Sequence, residues 1–446
     1  MTATKAHQIE PGVDDGYPLT LGQQTVLLDP LAQHRLVSLC IEIDPPADPA
    51  QVLAALDLVL AEHPGLVTRL REMTPGVWQQ RPHPVPARHL VAVRDPAAHD
   101  IAGIALAELD RIRADPPDPR RGWGLRGALT PTGRGAVLVL VAHHLLMDAL
   151  SRPLVLDALD RALRQPAVPV TGDPVRALVA RQQTRRADGP SEAARTLADA
   201  LTSASRLDLG STGAEREQPA ERETVWLRST EYEQFRGSQE QLRVTPYALL
   251  LTGLFVELAV RGASPRPAVT AVRTRRVGRA QWSIVGTFSE GLVLTAPTDL
   301  DTTTAVADVA REVASTLWRG LATKDNLVDL LPVTPMLRNY FAGAIGPVIE
   351  FQYIDVAPSD RSPRRCVRDW YEARTEVNFD AMGIEDLHIV CADHGDAMEI
   401  AAWSPRNGFP PGHMAALLRG LIDRALAPDR PRTSTSAVHA PRRNTT

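Results

Sequence analysis

The sequence predicts a mixed α/β protein built from two lobes, each combining strands and helices. Its 446 residues exceed the size of one ordinary domain and suit two. Hydrophobic residues make up 44% and charged residues 23% of the chain, which is typical of a packed globular protein. Strand-length apolar runs alternate with helical apolar spacing through both halves of the chain. Together these observations exclude a disordered or fibrous protein.

The N-terminal lobe, which we place at residues 17–170, begins with a half-buried strand and an amphipathic helix. Partial alternation of apolar and polar residues predicts the strand over 36–44. Apolar residues spaced three and four apart behind Pro49 predict a helix over 49–62. The helical pattern returns over 101–113. Residues 135–142 are a continuous apolar run, which is typical of a strand buried on both faces.

A polar linker is expected over residues 171–222, where Pro, Arg, Gln, Gly, Ser and Glu are frequent and surface helices could form over 176–186 and 191–206.

The C-terminal lobe follows over 223–428. Its predicted strands cover 224–228, 267–273, 291–296, 348–354, 385–391 and 397–402, and its predicted helices cover 247–260, 303–321 and 413–426. Residues 1–16 and 429–446 are expected to be disordered tails.

Charge and cysteine content exclude several classes of protein. Lys and Arg number 49 against 53 Asp and Glu, so the net charge is -4 and no positive field exists to attract nucleic acid or an anionic membrane. Cys40, Cys366 and Cys391 lie far apart, which argues against a disulfide framework or a zinc site. No signal peptide or membrane span is evident. We therefore expect a cytoplasmic protein with no nucleic-acid partner, no membrane partner and no metal.

The segment richest in chemical information follows the predicted buried strand. It places His143, His144 and Asp148 directly after the strand end. An uncharged imidazole can take a proton from an attacking amine or hydroxyl, which makes His144 the candidate base. Asp148 can pin the turn by pairing with an arginine or by accepting backbone N–H bonds.

Other interpretations of this segment stay open on the residues alone. A His-His pair beside an apolar run can be purely structural. His144 and Asp148 have the spacing of two metal ligands on one helix face, but a metal site needs three or four ligands and none of the others is nearby. A nucleophilic triad lacks its G-x-S-x-G elbow.

Residues 143–149, HHLLMDA, resemble the HHxxxDG signature of nonribosomal peptide synthetase condensation domains, which belong to the chloramphenicol acetyltransferase-like superfamily. Other segments are similar to the family's motifs in the same order. Residues 17–24 resemble its P-L-[ST]-x-x-Q opening, 62–69 its R-H-E-x-L-R-T segment, and 285–292 its V-G-x-F-x-N-T-L segment. Residues 126–129, 349–353 and 377–379 also fall where family segments belong. The resemblance spans about residues 17–427 and indicates a stand-alone, divergent member.

This resemblance implies two chloramphenicol acetyltransferase-like lobes arranged in a V around a central tunnel, with His144 in its middle. It also implies transfer of an acyl or aminoacyl group from the phosphopantetheine arm of a partner carrier protein, forming an amide or ester in specialised-metabolite biosynthesis. The acceptor would be an amine or alcohol, free or carrier-bound. No bound cofactor is expected beyond that arm.

The resemblance also assigns roles to residues. His144 would position or deprotonate the acceptor, and His143 would hold the loop. The backbone N–H near Ala149, with Ser289 and Glu290, would contact the substrate or the oxyanion. Two alternatives remain: an acyl-CoA-dependent acyltransferase with the same lobes, and a condensation-like binding module without activity.

Three departures from the family pattern bear on the site. Ala149 replaces the motif glycine, which is strained only if its φ is positive. Val67 stands where the family usually has an arginine, so the partner of Asp148 is expected to be a substitute such as Arg69 or Arg126. Glu290 and Gly291 replace Asn-Thr and put an acid near the expected floor of the tunnel.

Overall fold

The structure is a computed structural model. It describes residues 16–27, 36–45, 48–97, 100–165, 173–186, 191–209, 221–262, 264–274, 276, 279–323, 327–331, 334–342, 344, 346–355, 366–369, 387–404 and 412–429. The two predicted tails lie almost entirely outside these residues, as does the predicted family segment at 377–379.

The chain is mixed α/β, which confirms the predicted fold class. The strands are β1 (Tyr17–Pro18), β2 (Leu36–Ile43), β3 (Thr68–Thr74), β4 (Val77–Pro82), β5 (Val91–Val93), β6 (Leu125–Thr132), β7 (Gly135–His143), β8 (Glu221–Arg228), β9 (Ala268–Thr274), β10 (Ser289–Thr295), β11 (Ile349–Asp355), β12 (Val367–Asp369), β13 (Leu387–Asp393) and β14 (Ala397–Ser404). The helices are α1 (Leu21–Leu27), α2 (Pro49–Glu62), α3 (Ile101–Ala114), α4 (Arg152–Arg164), α5 (Pro174–Arg186), α6 (Glu192–Ala200), α7 (Thr230–Leu242), α8 (Pro246–Arg261), α9 (Arg279–Trp282), α10 (Val306–Ala322), α11 (Leu327–Leu330), α12 (Pro335–Phe341) and α13 (His413–Leu426).

The chain divides into two compact units that are interleaved along the sequence. Unit 1 takes its described residues from Met1–Gly189, Thr274–Glu290 and Asp360–Ile384, and unit 2 from Pro190–Arg273, Gly291–Ser359 and Glu385–Thr446. The division differs from the contiguous lobes and the linker expected from composition. Composition carries no information about tertiary contacts, and these contacts assign two later segments of the chain to unit 1.

Unit 1 contains a five-stranded sheet in the order β12-β2-β7-β6-β5. Its central strand, β7, pairs antiparallel with β2 and β6. Side chains of α2 and α4 pack on one face of this sheet and those of α3 on the other. Strand β7 is therefore covered on both faces, as its apolar run predicts. A smaller sheet in the order β1-β4-β3 completes the unit.

Unit 2 contains a six-stranded sheet in the order β10-β9-β11-β13-β14-β8. Helices α7, α8, α10 and α13 share one core with this sheet. Within that core the buried Glu257 of α8 accepts hydrogen bonds from Arg261 at 2.5 Å and from Arg424 of α13 at 2.8 Å. A buried carboxylate needs such partners, because desolvation penalises an unpaired charge.

No single helix in the described ranges has both the length and the apolar character of a membrane span. Helices α7 and α8 taken together have the length and composition of a membrane span, but they are bent by 95° relative to each other, and only length and composition indicate a span.

Element boundaries follow local capping chemistry where they differ from the predicted ones. Helix α10 begins at Val306 rather than 303, because the Asp301 carboxylate accepts the N–H of Thr303 at 2.8 Å and its hydroxyl at 2.7 Å and holds a turn there. Helix α6 ends at Ala200 and continues as a 3-10 turn over Leu201–Ser203. There the hydroxyl of Thr202 donates to the carbonyl oxygen of Asp199 at 2.6 Å and that of Ser203 to the carbonyl oxygen of Ala200 at 2.7 Å, and such side-chain bonds compete with helical ones.

We expect Gly135→Ala to destabilise unit 1. Gly135 opens β7 with a φ of 130°, and an added Cβ would lie 2.0 Å from the carbonyl oxygen of Ile43. Backbone cannot move aside as a flexible side chain can, so urea denaturation should show a loss of about 2–3 kcal/mol in the free energy of unfolding.

Gly133→Ala is the matched control, since Gly133 lies in the same hairpin and an added Cβ there meets no atom within 4 Å. Its free energy of unfolding should change by less than about 0.5 kcal/mol. Equal losses in the two variants would contradict this account of the start of β7.

Candidate functional site

The double-histidine segment forms a tight turn at the end of β7. The strand ends at His143, a turn follows over residues 144–146, and a 3-10 helix over Ala149–Ser151 leads directly into α4. The N–H of Leu146 donates to the carbonyl oxygen of His143 at 2.8 Å and closes the turn. The segment therefore leaves a central strand and enters a helix within a few residues.

His143 is fully buried and belongs to the framework of the turn. Its backbone N–H donates to the carbonyl oxygen of Gly124 at 2.7 Å. Its Nδ1 accepts the backbone N–H of Leu145 at 3.0 Å. An Nδ1 that accepts a hydrogen bond carries no proton, so this bond assigns the neutral ring's proton to Nε2.

His144 is half-buried, and the backbone around it is held by side chains from distant segments. The hydroxyl of Thr287 donates to the carbonyl oxygen of His144. The carbonyl oxygen of Leu145 accepts a hydrogen bond from Nε2 of Gln23 at 2.9 Å. Two successive carbonyl groups of the turn are thus fixed from outside it, which restricts where the His144 imidazole can be presented.

Helix α1 reaches the turn through a close backbone approach at Gly22. An added Cβ at Gly22 would lie 2.5 Å from the carbonyl oxygen of Thr287, so only glycine fits. The hydroxyl of Thr20 donates to the same oxygen at 3.1 Å. The opening family-like segment, 17–24, therefore supplies Thr20, Gly22 and Gln23 to the support of the turn.

Asp148 has a fully buried side chain whose two oxygens are occupied by donors. Oδ1 accepts the backbone N–H of Ser151 at 3.0 Å and its hydroxyl at 2.8 Å. Oδ2 accepts the backbone N–H of Phe288 at 3.0 Å. Both oxygens also bind the guanidinium of Arg276, at 2.9 Å and 2.6 Å. Both oxygens of this carboxylate are therefore engaged by donors of the protein itself.

Arg276 is as deeply buried as Asp148, and the two side chains have 0% exposure each. Its Nη2 also donates to the hydroxyl of Ser151 at 2.9 Å and to the carbonyl oxygen of Ile284 at 3.2 Å. The guanidinium carbon lies 4.5 Å from the centroid of the Phe288 ring, a cation–π distance. The pair thereby connects the 3-10 helix to the segment before β10.

The expectation that Arg69 or Arg126 would pair with Asp148 is wrong. Arg126 donates to Asp115, at 2.5 Å, and Arg69 lies over the Trp123 ring. Val67 is a buried apolar residue in a 3-10 helix over Pro64–Val67. The positive charge that pairs with Asp148 is instead that of Arg276, in the segment that follows β9.

Ala149 fits its position without strain. It is the first residue of the 3-10 helix over Ala149–Ser151, with Asp148 as the N-cap, so no positive φ is required there. The loss of the motif glycine therefore leaves the turn intact.

Ser289 and Glu290 at the start of β10 are the expected contacts for the substrate or the oxyanion, and they differ in exposure. Ser289 is half-buried, and its hydroxyl lies 3.4 Å from Oδ2 of Asp148. Glu290 is buried at 3% exposure. The structure thus brings His143, His144, Asp148, Ala149 and Ser289 to one place, with Glu290 next in the chain.

Sequence reasoning missed three residues that support the site: Arg276, Ser151 and Thr287. Ser151 could have been found from its position three residues after an N-cap aspartate, where N-cap side chains accept backbone N–H bonds. Arg276 and Thr287 could not be linked to the turn from the sequence, because Asp148 and the His144 carbonyl that they bind lie 128 and 143 residues away.

Metal ligation finds no support in the described part of the chain, where no three His, Cys, Asp or Glu side chains are grouped as a metal ion would need.

We expect Arg276→Met to destabilise the protein strongly, since it leaves the Asp148 carboxylate buried without its counter-charge. Breaking a buried pair from one side costs about 3–5 kcal/mol. The control is Arg161→Met, which breaks the exposed pair of Arg161 with Glu62 and should cost less than about 1 kcal/mol. Urea denaturation of both variants measures the difference, and similar losses would argue against the buried pair as the main support of the turn.

Comparison with known proteins finds similar folds among solved structures. No protein-family profile and no curated protein sequence matches the chain. Among solved structures, the first condensation domain of the calcium-dependent antibiotic synthetase, in complex with a substrate analogue, matches with a TM-score of 0.70 and 22% identity, covering 94% of this chain and 99% of that one.

Two further structures match over similar lengths. The condensation domain of the monacolin K polyketide synthase MokA has a TM-score of 0.72 and 16% identity, covering 92% of this chain and 97% of that one. The epimerization domain from the third module of tyrocidine synthetase B has a TM-score of 0.68 and 15% identity, covering 93% and 96%. The chain therefore has the fold of condensation domains.

Proposed function

We propose that this protein is a condensation-type acyltransferase of specialised-metabolite biosynthesis. It would join an acyl or aminoacyl group, carried as a thioester on the phosphopantetheine arm of an acyl or peptidyl carrier protein, to an amine or alcohol acceptor. The observation that carries the proposal is the half-buried His144, the residue after β7, on a turn whose carbonyl groups are bound by Thr287 and Gln23.

The reaction requires little covalent chemistry from the protein. The acceptor nitrogen or oxygen attacks the thioester carbon, the new C–N or C–O bond forms, and the C–S bond breaks as the carrier thiol leaves. The acceptor loses one proton and the thiolate gains one. A neutral imidazole at His144 can accept the first proton and return it to sulfur, and such proton transfer contributes about 10²–10⁴-fold to rate.

The other site residues act through position. His143 and Asp148 are buried and bonded to backbone groups of the turn, so their proposed role is to fix His144. The backbone N–H groups near Ala149 and the half-buried hydroxyl of Ser289 are the proposed contacts for the substrate or the oxyanion. Oriented N–H dipoles stabilise such a charge as it forms. Glu290 is proposed to contribute to the same region.

Other members of the fold define the rival functions. The epimerization domain of tyrocidine synthetase B has the same architecture, and its name assigns it a different reaction. An acyl-CoA-dependent transferase and a silent binding module also suit the fold. These rivals differ from our proposal in donor, product or turnover, so one set of assays separates them.

We expect His144→Ala to lower product formation by about 10²–10⁴-fold without unfolding the protein, because it removes the proton acceptor and keeps the buried supports. The purified full chain is offered acyl donors on carrier protein and on coenzyme A in parallel with a panel of amines and alcohols, and products are measured by mass spectrometry. His89→Ala is the control, because His89 is an exposed imidazole of the same unit.

Each alternative outcome contradicts a stated part of the proposal. Equal turnover by the wild type and His144→Ala would remove His144 from its role. Turnover with acyl-CoA alone would overturn the carrier-bound donor. Inversion at the donor's α-carbon without transfer would identify an epimerase, and no turnover with any donor would favour a binding module.

A further inference from the structure

Two buried glutamines connect the small sheet of unit 1 to the double-histidine turn. Gln80 lies on β4, the central strand of that sheet, and is 1% exposed. Gln23 lies in α1 and is 4% exposed. Nε2 of Gln23 donates to the carbonyl oxygen of Leu145 at 2.9 Å and to Oε1 of Gln80 at 2.9 Å. The contact of α1 with the turn therefore continues to β4.

The start of α1 sets the orientation of the Gln23 carboxamide. Thr20 and Gln23 have the T-x-x-Q spacing of a capping box. The backbone N–H of Gln23 donates to the hydroxyl of Thr20 at 3.1 Å, and the N–H of Thr20 donates to Oε1 of Gln23 at 2.8 Å. Because Oε1 accepts there, the amide nitrogen is the atom that meets Leu145 and Gln80. A glutamate could cap the helix equally well, but its carboxylate would have no donor for the turn.

Gln80 receives the second amide hydrogen of Gln23. Its own Nε2 donates to the carbonyl oxygen of Pro18 at 3.0 Å, so both ends of its carboxamide are bonded. Its backbone is paired with β1 on one side and with β3 on the other. A buried donor that loses its acceptor is costly. Without Gln80 the Gln23 carboxamide would therefore lose the contact that keeps it aligned with Leu145.

The carbonyl group that Gln23 holds completes the bonding of the turn. The peptide group between His144 and Leu145 is bonded at its carbonyl oxygen to the hydroxyl of Thr287 and at its N–H to Nδ1 of His143. The next peptide group is bonded at its N–H to the carbonyl oxygen of His143, at 2.8 Å, and at its own carbonyl oxygen to Gln23. All four backbone groups around Leu145 are thus bonded, and loss of one gives the second peptide group freedom to rotate.

We propose that Gln80 is a positioning residue for His144. It acts through Gln23, whose carboxamide it holds in the orientation that fixes the backbone of the turn. The effect on the reaction rests on the proposed function, whereas the effect on the turn rests on the hydrogen bonds alone.

A double-mutant cycle with Gln80→Met and Gln23→Met, measured by hydrogen exchange on the full chain, tests this role. Methionine removes the carboxamide and keeps an unbranched side chain of similar size. Exchange of the Leu145 and Leu146 amides should be about tenfold faster in each single variant, because local opening of the turn becomes easier. In the Q23M background, Q80M should change this rate by less than about twofold, since Gln80 acts through Gln23.

Gln79→Met is the matched control, because Gln79 is the neighbouring residue on β4 and its side chain leaves the opposite face of the strand. It should leave exchange at the turn within about twofold of the wild type. Thermal melting of each variant excludes global unfolding. In the transfer assay Q80M should lower kcat about tenfold and leave KM within about twofold, since a misplaced imidazole affects the reacting geometry and not substrate binding.

Unchanged exchange at the turn in Q80M would overturn the proposal, and so would an effect of Q80M that persists in full in the Q23M background. Faster exchange confined to β1 and β4 would limit Gln80 to support of the sheet and also contradict it, as would a loosened turn with unchanged kcat. Hydrogen exchange needs no turnover. A wild type without transfer activity would therefore refute the acyltransferase, while the cycle would still decide whether Gln80 holds the turn.

Discussion

The pairing of Asp148 with Arg276 is the constraint on which the site depends. Removing two charges completely from water is expensive, and attraction between them compensates only when geometry and additional hydrogen bonds are good. Here the carboxylate also binds backbone N–H groups of Ser151 and Phe288, and the guanidinium binds the carbonyl of Ile284. The turn that carries His144 is therefore held by electrostatic contacts as well as by apolar packing.

The same network separates buried, fully bonded side chains from a half-buried one. The oxygens of Asp148 are occupied by donors, and Nδ1 of His143 accepts the N–H of Leu145. His144 is bound through its backbone carbonyl, and its imidazole is half-buried. The two histidines and the acid thus differ in their surroundings: His143 and Asp148 are buried and bonded to backbone groups, and His144 is half-buried, which is the arrangement that our proposed function requires.

Local patterns predicted much of the fold and part of the site. The apolar run of β7, the spacing in α2 and the turn after His143 depend on neighbouring residues and can be found in the sequence. The partner of Asp148 could not, because Arg276 is 128 residues away and one of several arginines that follow strands. Interleaving of the two units was missed for the same reason: the pairing of β12 with β2 leaves no trace in composition or periodicity.

That pairing has a consequence for how the protein is made. Strand β2 is apolar, with Leu39, Cys40 and Ile41 buried, and its outer edge is completed only by β12. Ile41 meets Asp369, so more than three hundred residues must be translated before this edge can close. At about 5–20 residues per second, the delay is on the order of half a minute. During that interval an apolar strand edge stands open on the ribosome, a known route to aggregation, and the nascent chain would benefit from a chaperone that shields it.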